Sequence, residues 1–295
     1  MKLWSDSFHD GAPIPGEFAF AVPDATRHLT LSANRNPHLA WRNVPLDTRS
    51  FALIVHDPDA PSSGDDVNRS GREVAASLAR TEFVHWVLVD MPAKTSEIAA
   101  GSQADGVVAH GKPATAPLGR HGVNDYSGWF AGDSAMAGQY HGYDGPCPPW
   151  NDALAHRYVF TLYALDIDRI AVDGDFTAAD VRKAMAGHVL AKAALTGTYT
   201  LNPALRTMDG HGEFQQVSCE ALDYLEIACM GRYKLHLELV GGESTTGLAQ
   251  DIRDHGHAEY LVLGTHDGEV EVRFDRIRAL TPLTPGARFG HVALR

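Results

Sequence analysis

Three short apolar runs, each ended by proline or an acidic residue, constrain this chain more than any other feature. They are FALIVH at 51–56, closed by DPDAP; FVHWVLVD at 83–90, closed by Met-Pro; and RYVFTLYALD at 157–166. Runs of this length with no polar face predict strands covered on both sides. Between the first two lies SSGDDVNRSGREVAASLART (62–81), polar and turn-rich, which reads as a surface loop. Residues 93–150 are rich in Gly, Pro, Asp and His and lack periodicity. So long an irregular stretch inside a compact domain is functional or disordered. Its aromatic residues, Tyr126, Trp129, Phe130, Tyr140, Tyr143 and Trp150, favour the packed, functional kind.

Residues 177–195, TAADVRKAMAGHVLAKAAL, predict the clearest helix. Thr177 is a good N-cap with Asp180 three residues on, and Val181, Met185, His188 and Ala191 or Lys192 share one face. TGTYTL (196–201) reads as a closing strand. After a linker at 204–216 the pattern changes. YKLHLELV (233–240) alternates strictly, Gly241-Gly242 makes a hairpin turn, and strands at 244–252, 259–264 and 269–274 follow, the last two split by Asp267-Gly268. Short strands between turn signals predict a small barrel, preceded by a short helix at 219–230. The expected domains are 1–203 and 217–295.

Charge bounds the partners. The 295 residues carry 37 Asp+Glu against 25 Lys+Arg, a formal charge of -12, and 217–295 alone carries 12 acidic and 8 basic side chains. That balance argues against direct nucleic-acid binding through phosphates. Three cysteines without framework spacing predict no disulfide scaffold and a reducing compartment. The N-terminus, MKLWSDSFHDGAPIP, has no apolar core of a signal peptide, and no run approaches the roughly 18 apolar residues of a membrane span. The expectation is a cytoplasmic protein with no membrane span and an open oligomeric state.

Polar groups sit where the apolar runs end: Asp57 and Asp59 in DPDAP, His85 in FVHWV, His156 in AHRY. Each alone is also what a packed core histidine or a rigid turn supplies. If the three strands are neighbours, these groups converge. A carboxylate near an imidazole favours the imidazolium. Two such histidines, with backbone N–H groups of a Gly-Pro loop, suit a phosphate, and prolines hold that loop in shape. Two rivals use the same residues. His85, His156, Cys147 and Asp57 form a legal zinc set without local spacing, and Cys147 with His156 supplies a nucleophile and base without a recognisable oxyanion hole. His188 is expected to pack on the helix face, and His110, His121 and His141 to be solvated in loops. No cofactor is expected.

Taken in order, DPDAP (57–61), HWV (85–87) and YDGPCPP…HRYVFTLYALD (143–166) resemble the phosphatidylethanolamine-binding protein family, which includes the Raf kinase inhibitor-like proteins. NPHLAW (36–41) and HVLAKAALTGTY (188–199) resemble its bacterial branch. The resemblance covers residues 1–203. It implies a mainly β fold, a β-sandwich with a few helices, and a small pocket for an anion or a phospholipid head group. It places Asp57, Asp59, His85, Gly145 and His156 in that pocket, Pro146, Cys147, Pro148 and Pro149 in its wall, and Tyr158 at its flank. Cys147 stands where mammalian-type members carry Gly, which narrows the pocket.

SCEALDYLEIACMGRYKLHLELVGGE (218–243) and AEYLVLGTHDGEVEVRFDRIRALTPL (258–283) resemble the Rho-binding antiterminator family. This implies an Sm-like small β-barrel with a short N-terminal helix, and stand-alone relatives that bind the transcription terminator Rho. Asp223 and Glu226 beside that helix suit a basic protein surface, Rho or another. The reading is a non-enzymatic, anion-binding regulatory protein. The alternative is an enzyme, hydrolase or metal-dependent, acting on a phosphorylated or acylated small molecule in the same pocket.

Overall fold

The computed structural model describes residues 1–24, 26–208, 219–239, 244–254, 259–266 and 268–294. The chain divides into two compact units, Met1–Leu205 and Arg206–Arg295. The first opens with β1 (Lys2–Trp4), β2 (Ala21–Asp24), β3 (His28–Leu31) and β4 (Leu39–Arg42). Two long strands follow, β5 (Ser50–Pro61) and β6 (Arg80–Pro92), then the short β7 (Glu97–Ile98) and β8 (Arg120–His121) and the single turn α1 (Tyr126–Trp129). β9 (His156–Leu165), α2 (Ala178–Ala184) and β10 (Val189–Tyr199) complete it. The strands form a three-stranded sheet, β1-β4-β7, a five-stranded sheet, β10-β9-β5-β6-β8, and the hairpin β2-β3.

The apolar runs are strands because both faces of the larger sheet are buried. Along β5, Phe51, Leu53 and Val55 face a core shared with Leu3, Leu39, Trp41 and Ile98 of the smaller sheet. Ala52 and Ile54 face a second core beside Phe176, Val181 and Met185. β6 divides in the same way, Trp86 and Leu88 to one side, Val87 and Val89 to the other. A side-chain period of two, apolar on both faces, leaves no polar positions to interrupt the run. β9 and β6 both run antiparallel to β5, with His56 opposite Val84 and Val159. The end of β5 and the starts of β6 and β9 therefore lie together. DPDAP extends β5 with a register shift between Asp57 and Ala60.

The expected helix over 177–195 is half correct. Thr177 and Asp180 form a reciprocal capping box at the start of α2. The helix ends at Ala184, Gly187 turns the chain with φ at +84°, and Val189–Tyr199 pairs with β9 as a strand. Ala and Lys favour helix locally, but a ladder of ten paired residues along the otherwise open edge of β9 outweighs that preference. His188 therefore does not pack on a helix face; it lies half exposed before β10 with Nδ1 2.9 Å from Asp166. The segment 62–81 is mostly exposed, but it is tethered. Val74 is buried and pairs with the backbone around Asp152, and the Asn151 side chain donates to the carbonyls of Asp66 and Arg72.

The expected linker is partly helical, since Pro203–Met208 form α3; residues 209–216 lie outside the described residues, as do the Gly241-Gly242 turn and Asp267. The second unit contains α4 (Cys219–Met230), β11 (Lys234–Leu239), β12 (Ser244–Asp254), β13 (Glu259–Thr265), β14 (Gly268–Arg273), β15 (Ile277–Pro282) and β16 (Val292–Ala293). They form one antiparallel sheet in the order β14-β13-β12-β11-β15-β16. Among the described residues, the edge strands β14 and β16 do not pair to close it. Tyr233, Leu235 and Leu237 face inward with Leu261, Leu263, Phe274 and Leu280, as the alternation of 233–240 requires. Leu225 and Ala228 of α4 join that core.

Candidate ligand-binding site

The sandwich brings Asp57, Asp59, His85, His156 and Tyr158 to one end of the five-stranded sheet, and the buried YDGP segment packs against it. Asp144, within that segment, organises the wall. It is wholly buried, and its carboxylate accepts from Asn34 Nδ2 at 2.8 Å, Asn124 Nδ2 at 2.9 Å and the ammonium of Lys112. Its backbone N–H donates to the His85 carbonyl at 3.1 Å, and its own carbonyl accepts from His85 Nδ1 at 2.7 Å. Because a carbonyl can only accept, the His85 proton sits on Nδ1, and Nε2 of the neutral ring presents a lone pair. Burial pushes the His85 pKa down, against the opposing pull of Asp57 and Asp144. The ring lies edge-on to Tyr158, centroids 5.1 Å apart, and to Tyr126 at 5.6 Å. The Tyr158 hydroxyl is buried without a hydrogen-bond partner.

His156 behaves differently. Its Nδ1–H donates to Asp57 at 2.7 Å and its Nε2–H to Asp152 at 3.0 Å, all three side chains being buried. Burial disfavours the imidazolium, but hydrogen bonds to Asp152 and Asp57 outweigh it and lift the pKa to about 9. Behind Asp152 stands Arg80, whose Nη1 and Nη2 reach its carboxylate at 2.6 and 3.0 Å. Asp57 accepts from the Asp59 N–H at 2.7 Å. Asp59 faces Arg157, whose Nε and Nη2 donate to it at 2.8 and 2.7 Å. Burial raises the Asp59 pKa, but the guanidinium overcomes this and holds it low. The expectation that both histidines offer a nitrogen to a phosphate is thus corrected. His156 fixes Asp57 in place, and only His85 has a nitrogen to spare.

The loop 145–149 is close-packed. A side chain on Gly145 would begin 2.1 Å from the Phe18 carbonyl oxygen, so only glycine permits this approach. The Gly145 N–H donates to Asn34 Oδ1 at 2.8 Å, while its carbonyl accepts from the Tyr126 hydroxyl at the same distance. Pro146, Pro148 and Pro149 are buried and carry no N–H, so Cys147 supplies the one remaining amide of the stretch. The Cys147 thiol packs with Phe20, Tyr126 and Tyr140, and burial pushes its pKa up to about 12. A thiol held neutral and an imidazolium held between two carboxylates do not make a nucleophile and base at neutral pH. Nor does His156, with both N–H groups donated, present a lone pair to zinc.

Two of the loop histidines expected to be solvated are buried, His121 and His141; His110 is exposed. Sequence reasoning also missed Asp144, Asp152, Arg80, Asn34, Lys112 and Asn124. The available signal was a charged Asp144 inside a stretch otherwise Gly, Pro and aromatic. On the second unit, Asp223 and Glu226 lie exposed on α4, opposite Leu225 and Ala228.

Comparison with known proteins places the first unit in an established protein family. Residues 4–200 match the model of the phosphatidylethanolamine-binding protein family. The chain is similar to UPF0098 protein YbhB of Escherichia coli, 33% identical over 200 residues, covering 68% of this chain and 100% of that one. It is also similar to a UPF0098 protein of Aquifex aeolicus, 30% identical, covering 68% and 88%. The crystal structure of E. coli YbcL, described as a new member of the mammalian family, aligns with a TM-score of 0.49 at 25% identity, covering 68% of this chain and 97% of that one. The chain belongs to the phosphatidylethanolamine-binding protein family. Residues 216–294 match a second family model, Modulator of Rho-dependent transcription termination (ROF), so a domain similar to those modulators is fused behind the first. No helix among the described residues is long and apolar enough to cross a membrane.

Proposed function

We propose that the chain is a regulatory binding protein. Its first domain holds a small phosphate-bearing ligand against His85, Tyr158 and the Cys147 amide, and its second docks on Rho or a similarly basic protein surface. The observation that carries the first half is the pairing of the buried, unpartnered Tyr158 hydroxyl with His85, whose Nδ1 is already committed. Together they offer one donor and one acceptor, which suits a phosphate oxygen and a P–OH. Asp57, Asp59 and His156 hold the frame, and Gly145, Pro146, Cys147 and Pro148 form the wall. Since His85 presents a lone pair, the bound pair shares one added proton. Affinity for O-phosphoethanolamine then falls about tenfold per pH unit above the phosphate's second pKa, near 6. NMR of the His85 imidazole during titration reads this directly, and Tyr158→Phe weakens binding roughly tenfold, the worth of one buried hydrogen bond. Inorganic phosphate in a parallel titration separates recognition of the phosphate from recognition of the whole head group. A His85 resonance unmoved by millimolar ligand at pH 6 rules this reading out.

We read the second domain as an Sm-like barrel left open between its edge strands. Its match to the Rho-modulator model supports a Rho-related partner, and exposed Asp223 and Glu226 supply the charge for a basic surface. The full chain is expected to retain purified Rho in a pull-down, and a Asp223→Lys, Glu226→Lys double variant to lose most of it. Equal retention by the variant assigns the contact to another face.

A further inference from the structure

The segment between β5 and β6 is an exposed loop organised by one buried side chain. Its base is closed by the Ser62 N–H, which donates to the Ala79 carbonyl at 3.0 Å. Between those two residues, Val74 is the single fully buried side chain. The rest of the attachment is polar. Asn151, 7% exposed, uses its whole amide on the loop. Its Oδ1 accepts from the Asn68 N–H at 2.9 Å. Its Nδ2 donates to the Asp66 and Arg72 carbonyls at 2.9 and 3.0 Å, with the Arg69 carbonyl further out at 3.4 Å. Left-handed backbone at Asn68 and Gly71, φ +56° and +71°, bends the chain around that amide. A segment with so little buried apolar surface opens at a low free energy.

The neighbours of Asn151 belong to the frame of the ligand site. Asp152 is the carboxylate that His156 and Arg80 share. Arg80 also donates from Nη2 to the Ala75 carbonyl of the loop at 2.9 Å, and from Nη1 to the Asp59 carbonyl at 3.0 Å. On the other side, the N–H of Trp150, one residue past the proline wall, donates to Asn68 Oδ1 at 3.0 Å. We infer that residues 62–79 form a strap whose closure is coupled to the Asp57–His156–Asp152 clamp, with Asn151 as its positioning residue. Opening the strap takes one anchor from Arg80 and one from Trp150, so the clamp and the wall loosen together. Coupling is reciprocal, so loosening the clamp makes the strap open more readily by the same factor. What the strap governs rests on the phosphate reading above; that it is fastened to the clamp does not.

Limited trypsin digestion of the full chain reads the strap directly. Arg69 and Arg72 are exposed, but the Arg72 carbonyl, at the bond to be cut, is held by Asn151. Cutting there requires opening, and its rate follows the open population when closing is fast. Asn151→Asp is nearly isosteric and turns two donors into acceptors that face carbonyls. It is expected to speed the cut after Arg72 at least roughly tenfold, the worth of one buried hydrogen bond. His156→Gln leaves the strap contacts in place, since both ring nitrogens of His156 bond Asp57 and Asp152 instead. It is still expected to speed the same cut about fivefold or more through the coupling. Mass spectrometry locates each cut, and the bond after Arg182 in α2 reports opening of the whole domain. An Asn151→Asp or His156→Gln variant cut after Arg72 at the parent's rate, or an equal acceleration after Arg182, overturns the inference. These readouts involve no ligand, so a phosphate site refuted by the His85 titration leaves the strap result standing.

Discussion

Asp144→Ala is expected to destabilise the first domain by about 3–5 kcal/mol, the cost of breaking a buried charge pair by removing one partner. The carboxylate is wholly buried, and its loss strands the Lys112 ammonium, which is only 10% exposed, together with two amide groups that donate to it. Asparagine is no remedy, because its amide nitrogen would face the donor on Asn124 in one orientation and the donors on Lys112 and Asn34 in the other. The discriminating variant is the double one. Asp144→Ala with Lys112→Met removes the stranded charge as well, so the pair should cost less than Asp144→Ala alone by about 1–3 kcal/mol of coupling. All five tryptophans, at positions 4, 41, 86, 129 and 150, lie in the first domain. Tryptophan fluorescence during urea unfolding of the whole chain therefore follows this domain alone. If the double variant is no more stable than the single, the carboxylate is not acting as the counter-charge of Lys112.

The sequence disclosed the strands more readily than the site, and the reason is physical. FALIVH, FVHWVLVD and RYVFTLYALD are legible because burial on both faces leaves an unbroken apolar signature. YKLHLELV is legible because one face is buried and the other is not. VLAKAAL misleads because it belongs to β10, with several half-exposed positions and few β-branched residues. Its identity comes from pairing with β9, which local propensity does not encode. In the site, Asp57, Asp59, His85 and His156 stand out as polar groups ending apolar runs. Their partners do not. Asn34 reaches Asp144 across 110 residues, Arg80 reaches Asp152 across 72, and both aspartates come from irregular backbone with no period to read. The histidines' opposite protonation follows from those partners. Burial keeps His85 neutral, with a carbonyl as its one hydrogen-bond partner, while carboxylates on both sides keep His156 charged. Nothing in FVHWV or AHRY distinguishes the two.

That difference sets the second large effect, a loss of first-domain stability on the alkaline side. The folded pKa of His156 is about 9, against about 6.5 for an unperturbed imidazole. A raised folded pKa means that the folded state holds the proton more tightly. The stabilisation is therefore complete below pH 6.5, where both states are protonated, and is lost as pH climbs through 9, where neither is. Its size is on the order of 3 kcal/mol, from the shift in pKa. His156→Gln removes the titration and the cation between Asp57 and Asp152, leaving Arg80 on Asp152 as the remaining positive charge of the pair. The variant should be less stable than the parent by a similar amount near pH 6.5, and its unfolding free energy should be flatter between pH 6.5 and 9.5. The two curves then approach each other as the parent loses its proton. Urea unfolding followed by tryptophan fluorescence at half-unit pH steps measures both. Parallel curves across that window would mean that the Asp57–His156–Asp152 clamp does not hold a proton on folding. The frame that positions the proposed phosphate site would then rest on Arg80 and Arg157 alone.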